Sequence, residues 1–411
     1  MDKGKFKDVA AVEGSENWEK LVQRERDLKD ASDEIRTPFV RDYTRILHSL
    51  AYSRLKHKTQ VFFNIENDHI CTRMEHVAHV ESVSSAIANY LGLNCELTKA
   101  ISIGHDIGHA PFGHHGEKVI NKLAEKHLGT SFWHERNGLR YVDDIELLEN
   151  NYKIYKNLSL TYAVRDGIIA HCGEIDENGL KPRTKYIDLS EFDRPGKYQP
   201  VTWEGCVVKI SDKIAYVGRD IADALCLGFL DAGEKNRLKE MARINDHQAI
   251  NTTVIMSNLI KDICVNSSPE NGICLSEKFM EQIDKIKSFN YGYIYDNKRL
   301  DPFKSYAKMI IKNIFKILLN AYAAEYTLEE LKKVSEMSET LYVSFSKFLA
   351  RYCENSIVLD DKLQDLSFRC DNKKIYGKLE NEKTYIQAIL DYISGMTDKF
   401  AIKIFNEMLA Y

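Results

Sequence analysis

Apolar residues recur at every third or fourth position over most of the chain, which is the spacing of one face of an α-helix. The clearest apolar stripe runs from Met74 to Leu91 and stops at Gly92, a residue type common at helix C-termini. Alternating apolar and polar positions, the pattern of a half-buried strand, are few, and we find no internal repeat. We therefore predict an all-α fold. The remaining predicted helices cover residues 17–29, 39–58, 96–105, 114–127, 159–171, 204–229, 249–265, 276–289, 305–324, 328–352 and 383–409.

Charge and loop-forming residues divide the chain into three predicted regions. Residues 1–35 form a charged N-terminal arm, residues 36–245 a helical core, and residues 246–411 a helical C-terminal region. Residues 176–200 are rich in Pro, Gly and Lys, so we expect a long loop or small hairpin at the rim of a site. Residues 290–293 (NYGY) are expected to break two of the C-terminal helices. Residues 291–295 (YGYIY) form either an aromatic hinge in the core or a platform for a base.

Composition and charge argue against several classes of protein. The 411 residues carry a formal net charge of −4, so no global basic field favours nucleic acid as the main ligand. No apolar run is long enough to span a membrane, and the N-terminus is polar, unlike a signal peptide. The nine cysteines are scattered singly without a CxxC pair, which predicts reduced thiols in a cytoplasmic protein.

His105 and Asp106 are adjacent and stand between glycines on an otherwise apolar segment. Burying two such polar groups without partners costs roughly several kcal/mol. A divalent metal accepts an imidazole nitrogen and a carboxylate oxygen at once, so it is the simplest partner. Nine of the thirteen histidines fall between positions 69 and 134, and packing alone does not explain that clustering.

Two further residues complete a candidate metal site. His76 lies on the helix predicted from Met74, and Asp212 interrupts an apolar helix, where an unpaired carboxylate is rare. Together with His105 and Asp106 they would supply two nitrogens and two oxygens and leave positions open for water and substrate. That set suits Mn, Fe, Co, Ni or Zn, and Mg is also acceptable. The alternative is a buried His–Asp hydrogen bond without a metal.

Four sequence blocks follow one another along the chain: residues 36–39 (RTPF), 54–61 (RLKHKTQV), 105–114 (HDIGHAPFGH) and 212–216 (DKIAY). In their residues and order they resemble the HD-superfamily deoxynucleoside triphosphate triphosphohydrolases, the dGTPase-like enzymes. The resemblance covers residues 36 to about 229, roughly half of the chain. It implies an HD-domain helical core and metal-dependent hydrolysis of a dNTP, such as dGTP, to a deoxynucleoside and inorganic triphosphate. The metal ligands would be His76, His105, Asp106 and Asp212.

The same resemblance implies how the leaving group is protonated. The nucleoside 5′-oxygen leaves poorly as an alkoxide, so a general acid must protonate it. His134 looks like the family's acid, and Glu117 would orient it and raise its pKa. His114 would contact the phosphates or share the acid role. The alternatives are a solvated turn at His114 and an ordinary surface histidine at position 134.

Five further residues are similar to substrate contacts of the family. Arg73 and Lys213 would bind phosphates, and the alternative for each is an ion pair with an acidic side chain. Tyr216 would stack under the sugar and exclude a ribose hydroxyl, while Asp220, one helical turn later, would receive the 3′-hydroxyl. Gln60 would contact the sugar edge. For these last three the alternative is plain packing.

Two histidines near these residues are expected to have lesser roles. His79 is one turn from His76 and should lie on the helix surface or behind the ligands. His171 and Cys172 end an apolar helix. One histidine and one cysteine are too few ligands for a metal site, so we expect this segment to form part of the rim.

Other functions remain open at the level of the sequence. A different HD phosphohydrolase, acting on nucleoside monophosphates, cyclic nucleotides or guanosine polyphosphates, would share the metal ligands but not Gln60, Lys213 and Tyr216. A nucleotide-sensing regulator would keep the fold without turnover, and the presence of Glu117 and His134 argues against it. By resemblance we expect a homo-oligomer, and an allosteric nucleotide is in keeping with the family. The lack of a long apolar run predicts no membrane partner.

Overall fold

The computed structural model describes residues 3–26, 35–62, 67, 69–171, 178–244, 247, 249–354 and 369–410. Its elements are predominantly helical, so the prediction of an all-α fold is confirmed. The end of the helix predicted at 17–29, the start of the loop predicted at 176–200, and Cys172 lie outside the described residues. Among the helices of the described ranges, none has the length and apolarity required to cross a membrane.

Helices account for most of the chain, and three short strands form one small sheet. In the described residues the α-helices are α1 (Trp18–Val22), α2 (Pro38–Leu47), α3 (Leu50–Arg54), α4 (Arg73–Leu91), α5 (Cys95–Gly104), α6 (Gly113–Leu128), α7 (His134–Arg140), α8 (Tyr162–Ala170), α9 (Trp203–Cys226), α10 (Ala232–Ala242), α11 (Thr252–Asn266), α12 (Glu277–Asn290), α13 (Asp301–Asn320), α14 (Thr327–Val334), α15 (Glu339–Tyr352), α16 (Glu382–Ser394) and α17 (Asp398–Glu407). The strands are β1 (Leu147–Glu149), β2 (Ile154–Asn157) and β3 (Arg369–Asp371). β2 lies in the middle, antiparallel to β1 and parallel to β3.

The chain forms two compact units, each assembled from separate stretches of sequence. The first unit comprises Met1–Leu47, Gln60–Asp106 and Ser159–Asp301, and the second unit comprises His48–Thr59, Ile107–Leu158 and Pro302–Tyr411. His105 and Asp106 end a stretch of the first unit, and the second unit resumes at the next residue. The three consecutive regions expected from the sequence stay a prediction.

Helix α4 is the frame of the first unit, and its ends are set by local sequence. At its start the Thr72 hydroxyl accepts the Glu75 amide, and the Glu75 carboxylate accepts the Thr72 amide at 2.7 Å, which satisfies two amides that the helix leaves unpaired. At its end Gly92 has φ of +85°, a left-handed conformation that favours glycine. The apolar stripe between these ends packs against α5 and α9, so the helix predicted over residues 74–91 is confirmed.

The second unit holds the segment that follows Asp106 by three backbone contacts. The buried Lys58 ammonium donates to the carbonyl of His109, the Asn137 amide donates to the carbonyl of Gly108 at 2.7 Å, and the amide of Phe112 donates to Asp398 at 2.8 Å. Phe112 has φ of +63°, an uncommon conformation for a bulky residue, so the bond to Asp398 helps to hold it. The segment therefore leads into α6 in one fixed conformation.

Three of the predicted long helices are interrupted, and the reason is the same each time. Ser49, Ser338 and Thr397 each accept a backbone amide three residues later through the side-chain oxygen, and each starts a new helix, α3, α15 and α17 respectively. Serine and threonine favour this N-cap position because their oxygens satisfy amides that the first turn leaves unpaired. The apolar periodicity continues across the breaks, so the sequence predicted single helices. Helices α7 and α10 and the sheet were not predicted, since they are too short or too polar to show a stripe.

We predict that Gly108→Ala destabilises the protein strongly. A Cβ atom at position 108 would lie 2.1 Å from both the Gly138 nitrogen and the His134 carbonyl oxygen, and these backbone atoms cannot rotate away. Overpacking of this kind costs about 1–3 kcal/mol or more. Thermal unfolding followed by circular dichroism measures the effect. The matched control is Gly292→Ala, because a Cβ atom there meets nothing within 4 Å; equal melting temperatures for the two variants would contradict the prediction.

Candidate metal centre and histidine cluster

The four predicted metal ligands come together within the first unit. His76 lies in α4, Asp212 in α9, and His105 and Asp106 follow directly on α5. His76 Nε2 is 2.9 Å from Asp212 Oδ1. His105 Nε2 is 3.8 Å from Asp106 Oδ1 and 3.8 Å from Asp212 Oδ1. Residues separated by more than 100 positions therefore place nitrogen and carboxylate oxygen atoms within one small volume.

His105 is held in the tautomer that a metal requires. Its Nδ1–H donates to the Ser102 carbonyl at 2.6 Å, so the neutral ring carries its lone pair on Nε2. Burial lowers the pKa of His105 in spite of the neighbouring carboxylates, which favours this neutral form. Among the residues that the structure describes, Nε2 has no hydrogen-bond partner although it is buried. A lone pair that faces two carboxylate oxygens repels them unless a cation lies between, so this donor set fits a divalent metal.

His76 and Asp212 form a tightly coupled pair. Burial would raise the pKa of Asp212, but the hydrogen bond and positive charge of His76 outweigh it and lower that pKa to about 2. Burial opposes the charge on His76, but Asp212 and Asp106 raise its pKa overall. A metal bound by both side chains must displace the shared proton, since a ligating histidine is neutral.

Arg73, one turn before His76 on α4, is almost fully buried and donates from Nη1 to Asp106 Oδ2 at 2.8 Å. The ion pair that the sequence offered as an alternative to phosphate binding is therefore present. The Arg73 Nε and Nη2 atoms are also buried, and neither finds a hydrogen-bond acceptor within the described part of the chain. Those two donors remain available to an anionic ligand.

Tyr216 and Asp220 lie in α9 beyond Asp212. Asp220 is contacted by Tyr295, which was not predicted to belong to the site. Tyr295 donates from its hydroxyl to Asp220 Oδ2 at 2.5 Å. Burial raises the pKa of Asp220 to about 7, although the Tyr295 hydrogen bond opposes the shift. Tyr295 belongs to the aromatic segment 291–295, and a contact between residues 75 positions apart left no signal in the sequence.

The two remaining predicted substrate contacts have different surroundings. Lys213 pairs with Asp284 of α12 at 3.4 Å, which is the ion pair considered as its alternative. Gln60 is half-buried, and its Oε1 atom is buried without a hydrogen-bond donor among the described residues.

The predicted acid and its orienting residue lie together in the second unit. His134, the first residue of α7, has Nδ1 at 3.1 Å from Glu117 Oε2 of α6. His114 and His109 each place Nδ1 at 3.8 Å from the same oxygen. The His109 ring stacks on the His134 ring with centroids 3.8 Å apart. His109 belongs to the block that carries the family resemblance, but no role was predicted for it.

Glu117 is ionised within this cluster. Burial alone would raise its pKa, but His134, His114 and His109 outweigh burial and hold the pKa well below the usual value. The carboxylate therefore accepts from histidine ring nitrogens and fixes their orientation. His134 is buried, so it is not the ordinary surface histidine of its alternative. His114 lies in the first turn of α6 and is 65 % exposed, which agrees with a solvated position. The four side chains also form a group that could hold a metal, as do His76, His105 and Asp106.

His171 is buried beside the predicted metal ligands and does not lie at a rim, whereas the rest of the segment predicted to form the rim, from Cys172 on, lies outside the described residues. His171 is 1 % exposed, at the end of α8. A ring nitrogen of His171 lies within 4.8 Å of a ring nitrogen of His105 and of a carboxylate oxygen of Asp212. His79 is half-buried on α4, as expected, and is not part of that group.

Comparison with known proteins agrees with this arrangement. The HD domain family matches residues 73–217. "Deoxyguanosinetriphosphate triphosphohydrolase-like" proteins are similar over most of their length: that of Caldanaerobacter subterraneus subsp. tengcongensis is 32% identical over 385 residues, covering 94% of this chain and 88% of the relative. Those of Clostridium tetani (31% over 391 residues, 93% and 88%) and Pelagibacter ubique (32% over 410 residues, 92% and 95%) are comparable.

The helical fold, the paired His105 and Asp106, and the family match define an HD-domain hydrolase. The identity of 32% along nearly the whole chain is more specific. The chain belongs to the family of deoxyguanosinetriphosphate triphosphohydrolase-like proteins.

We predict that Asp220→Asn stabilises the protein more at high pH than at low pH. The folded pKa of Asp220 is raised from 3.8 to about 7, so its stabilising contribution is complete below the unfolded value and is lost as pH rises through 7. Asparagine carries no charge and avoids that loss. The melting temperature of the variant minus that of the wild type should increase by more than about 2 °C between pH 5 and pH 8.5. A difference that stays constant over this range would show that Asp220 is not a buried carboxyl with a raised pKa.

Proposed function

We propose that this protein is a metal-dependent hydrolase that converts deoxynucleoside triphosphates, dGTP or other dNTPs, to a deoxynucleoside and inorganic triphosphate. The observation that carries the proposal is the convergence of His76, His105, Asp106 and Asp212, with the buried lone pair of His105 facing two carboxylates. The names of the relatives point to the same substrate class. The four residues would hold Mn, Mg, Co, Fe, Ni or Zn.

A bound divalent metal would supply a Lewis acid that polarises a phosphoryl oxygen and lowers the pKa of water. The chain's own residues would bind and orient the phosphates around it. Arg73 is fixed by Asp106 and keeps two buried donors, so it can bind phosphate oxygens without a new conformational cost. Lys213 could contribute once it exchanges Asp284 for a phosphate, because that pair is partly exposed and weak.

His134 would protonate the 5′-oxygen as the deoxynucleoside leaves. The ionised Glu117 holds Nδ1 of His134, so the proton to be transferred resides on Nε2. The negative charge of Glu117 also favours the protonated ring. His114 lies at the same carboxylate oxygen at 3.8 Å, and its exposed ring could contact phosphates or share the acid role.

Selection of the sugar would rest on α9 and its neighbour Tyr295. Asp220 would accept the 3′-hydroxyl with the oxygen that Tyr295 leaves available. Tyr216 on the same helix would pack against C2′ and exclude a ribose hydroxyl. Gln60, whose buried Oε1 lacks a donor within the described residues, would contact the sugar edge.

The proposal extends to assembly and location. In keeping with the family resemblance, the enzyme would act as a homo-oligomer in the cytoplasm, with a second nucleotide as an allosteric ligand. The scattered cysteines without a CxxC pair support a reducing compartment.

The reaction products test the proposal directly. Purified protein is incubated with each dNTP and NTP together with Mn, Mg or Co, and the products are separated. We expect deoxynucleoside and triphosphate in equal amounts, and little reaction with NTPs. His105→Ala should lose both the metal, measured by mass spectrometry, and this turnover, because it removes the nitrogen between two carboxylates.

The control for that variant is His79→Ala, which removes a half-buried histidine of α4 that is not part of the metal group. It should keep the metal and the activity. Release of a nucleoside monophosphate with pyrophosphate, or full activity of metal-free His105→Ala, would contradict the proposed reaction.

We predict that His134→Ala lowers the turnover rate by about 10²–10⁴-fold, the contribution typical of a general acid. Metal content should change little, because His134 is not among the proposed ligands. The matched control is His127→Ala, which removes a half-buried histidine that contacts Phe315 instead of Glu117. If His134→Ala keeps the wild-type rate, the acid role passes to His114.

A further inference from the structure

His171 stands close to the metal candidates without an assigned role. Its ring lies 4.9 Å from the ring of His105, centroid to centroid, with the planes 77° apart. One ring nitrogen of His171, one of His105 and a carboxylate oxygen of Asp212 lie within 4.8 Å of one another. A buried imidazole at this distance is either a packing neighbour of the centre or one of its ligands.

Glycines bring the helix of His171 to the centre. A Cβ atom on Gly104 of α5 would lie 2.8 Å from the Ile168 side chain of α8. A Cβ atom on Gly167 of α8 would lie 2.5 Å from the Ile101 side chain of α5. Each helix thus presents a glycine to an isoleucine of the other, which allows a close approach of the two helices. The approach brings together the histidines that end them.

His171 and His105 are oriented by the same local bond. Each is the residue after the last helical residue, α8 and α5 respectively. His171 Nδ1 donates to the Ile168 carbonyl at 2.7 Å, as His105 Nδ1 donates to the Ser102 carbonyl at 2.6 Å. A ring that donates from Nδ1 to a backbone carbonyl carries its lone pair on Nε2, and this bond commonly orients a histidine that binds a metal.

We propose that His171 is a fifth protein ligand of the metal centre. The inference rests on the proposed metal site and extends its ligand set to three imidazoles and two carboxylates. His105 belongs both to the group with His76 and Asp106 and to the group with His171 and Asp212. Since its Nδ1 is bound to Ser102, it offers one nitrogen and can ligate one ion, so both groups describe a single centre. Three imidazoles favour Mn, Fe, Co, Ni or Zn over Mg, which prefers oxygen ligands.

Metal binding tests the inference without an activity assay. The full chain is stripped with a chelator and titrated with Co²⁺, and the visible absorption of the bound ion and competition with a chelator report coordination and affinity. The variants are His171→Ala and His171→Gln, which keeps more of the side-chain volume, with His79→Ala as the matched control. Far-UV circular dichroism confirms that each variant is folded.

We expect one Co²⁺ per chain in the wild type. Both His171 variants should bind it at least about 10-fold more weakly and with an altered absorption spectrum. Added imidazole should restore the spectrum of His171→Ala, because a small molecule can replace a ligand but cannot repair a packing defect elsewhere. His79→Ala should match the wild type.

Wild-type affinity and spectrum in His171→Ala would overturn the inference and leave the proposed function intact. Two ions per chain in the wild type, falling to one in His171→Ala, would overturn the single centre. A wild-type protein that binds no divalent metal would overturn the proposed function as well.

Discussion

The burial of two carboxylates, Asp106 and Asp212, beside imidazole rings is the constraint on which the first unit's centre depends. Removing a carboxylate from water without a partner costs on the order of several kcal/mol, so each acid must be met by a charge or by donors. Arg73 meets Asp106 at 2.8 Å, and His76 meets Asp212 at 2.9 Å. His105 then remains with its lone pair facing both acids at 3.8 Å. This surplus of electron pairs in a buried place favours a cation.

The ends of helices, more than their faces, orient the histidine rings of this centre. The rings of His105 and His171 are each fixed by a carbonyl three residues earlier in the last turn of α5 or α8. Carbonyls in a last turn lack helical partners, so a histidine there satisfies the backbone and gains a fixed orientation in one bond. His76 and Asp212 lie inside long helices and are oriented by each other instead. Each of these side chains therefore lies within a helix or directly after its last turn.

Apolar periodicity and a short motif predicted many of the helices and the metal candidates from the sequence. Most of the features that were not predicted depend on contacts between residues far apart in the chain. The stripe from Met74 to Leu91 predicted α4 because its buried side faces one core. The polar pair at positions 105 and 106 predicted a metal site because an apolar segment does not tolerate it. Thr397 broke a predicted helix through a capping bond that leaves the apolar pattern unchanged. His171 and Tyr295 gained their positions from packing between helices, which no local pattern in the chain records.

Histidines and carboxylates cluster in both units, but one cluster favours a metal ion and the other favours a proton. The ratio of carboxylates to imidazole rings explains the difference. In the first unit two carboxylates lie among three imidazole rings, and Arg73 pairs with one of the acids, Asp106. Lone pairs and carboxylate charges are in excess there, and a bound metal would balance them. In the second unit one carboxylate, Glu117, faces three imidazole rings. Its pKa is held well below the usual value, so it stays charged and favours a proton on the nearest ring. Although both clusters have the composition of a metal site, charge balance favours metal binding in the first and proton donation in the second.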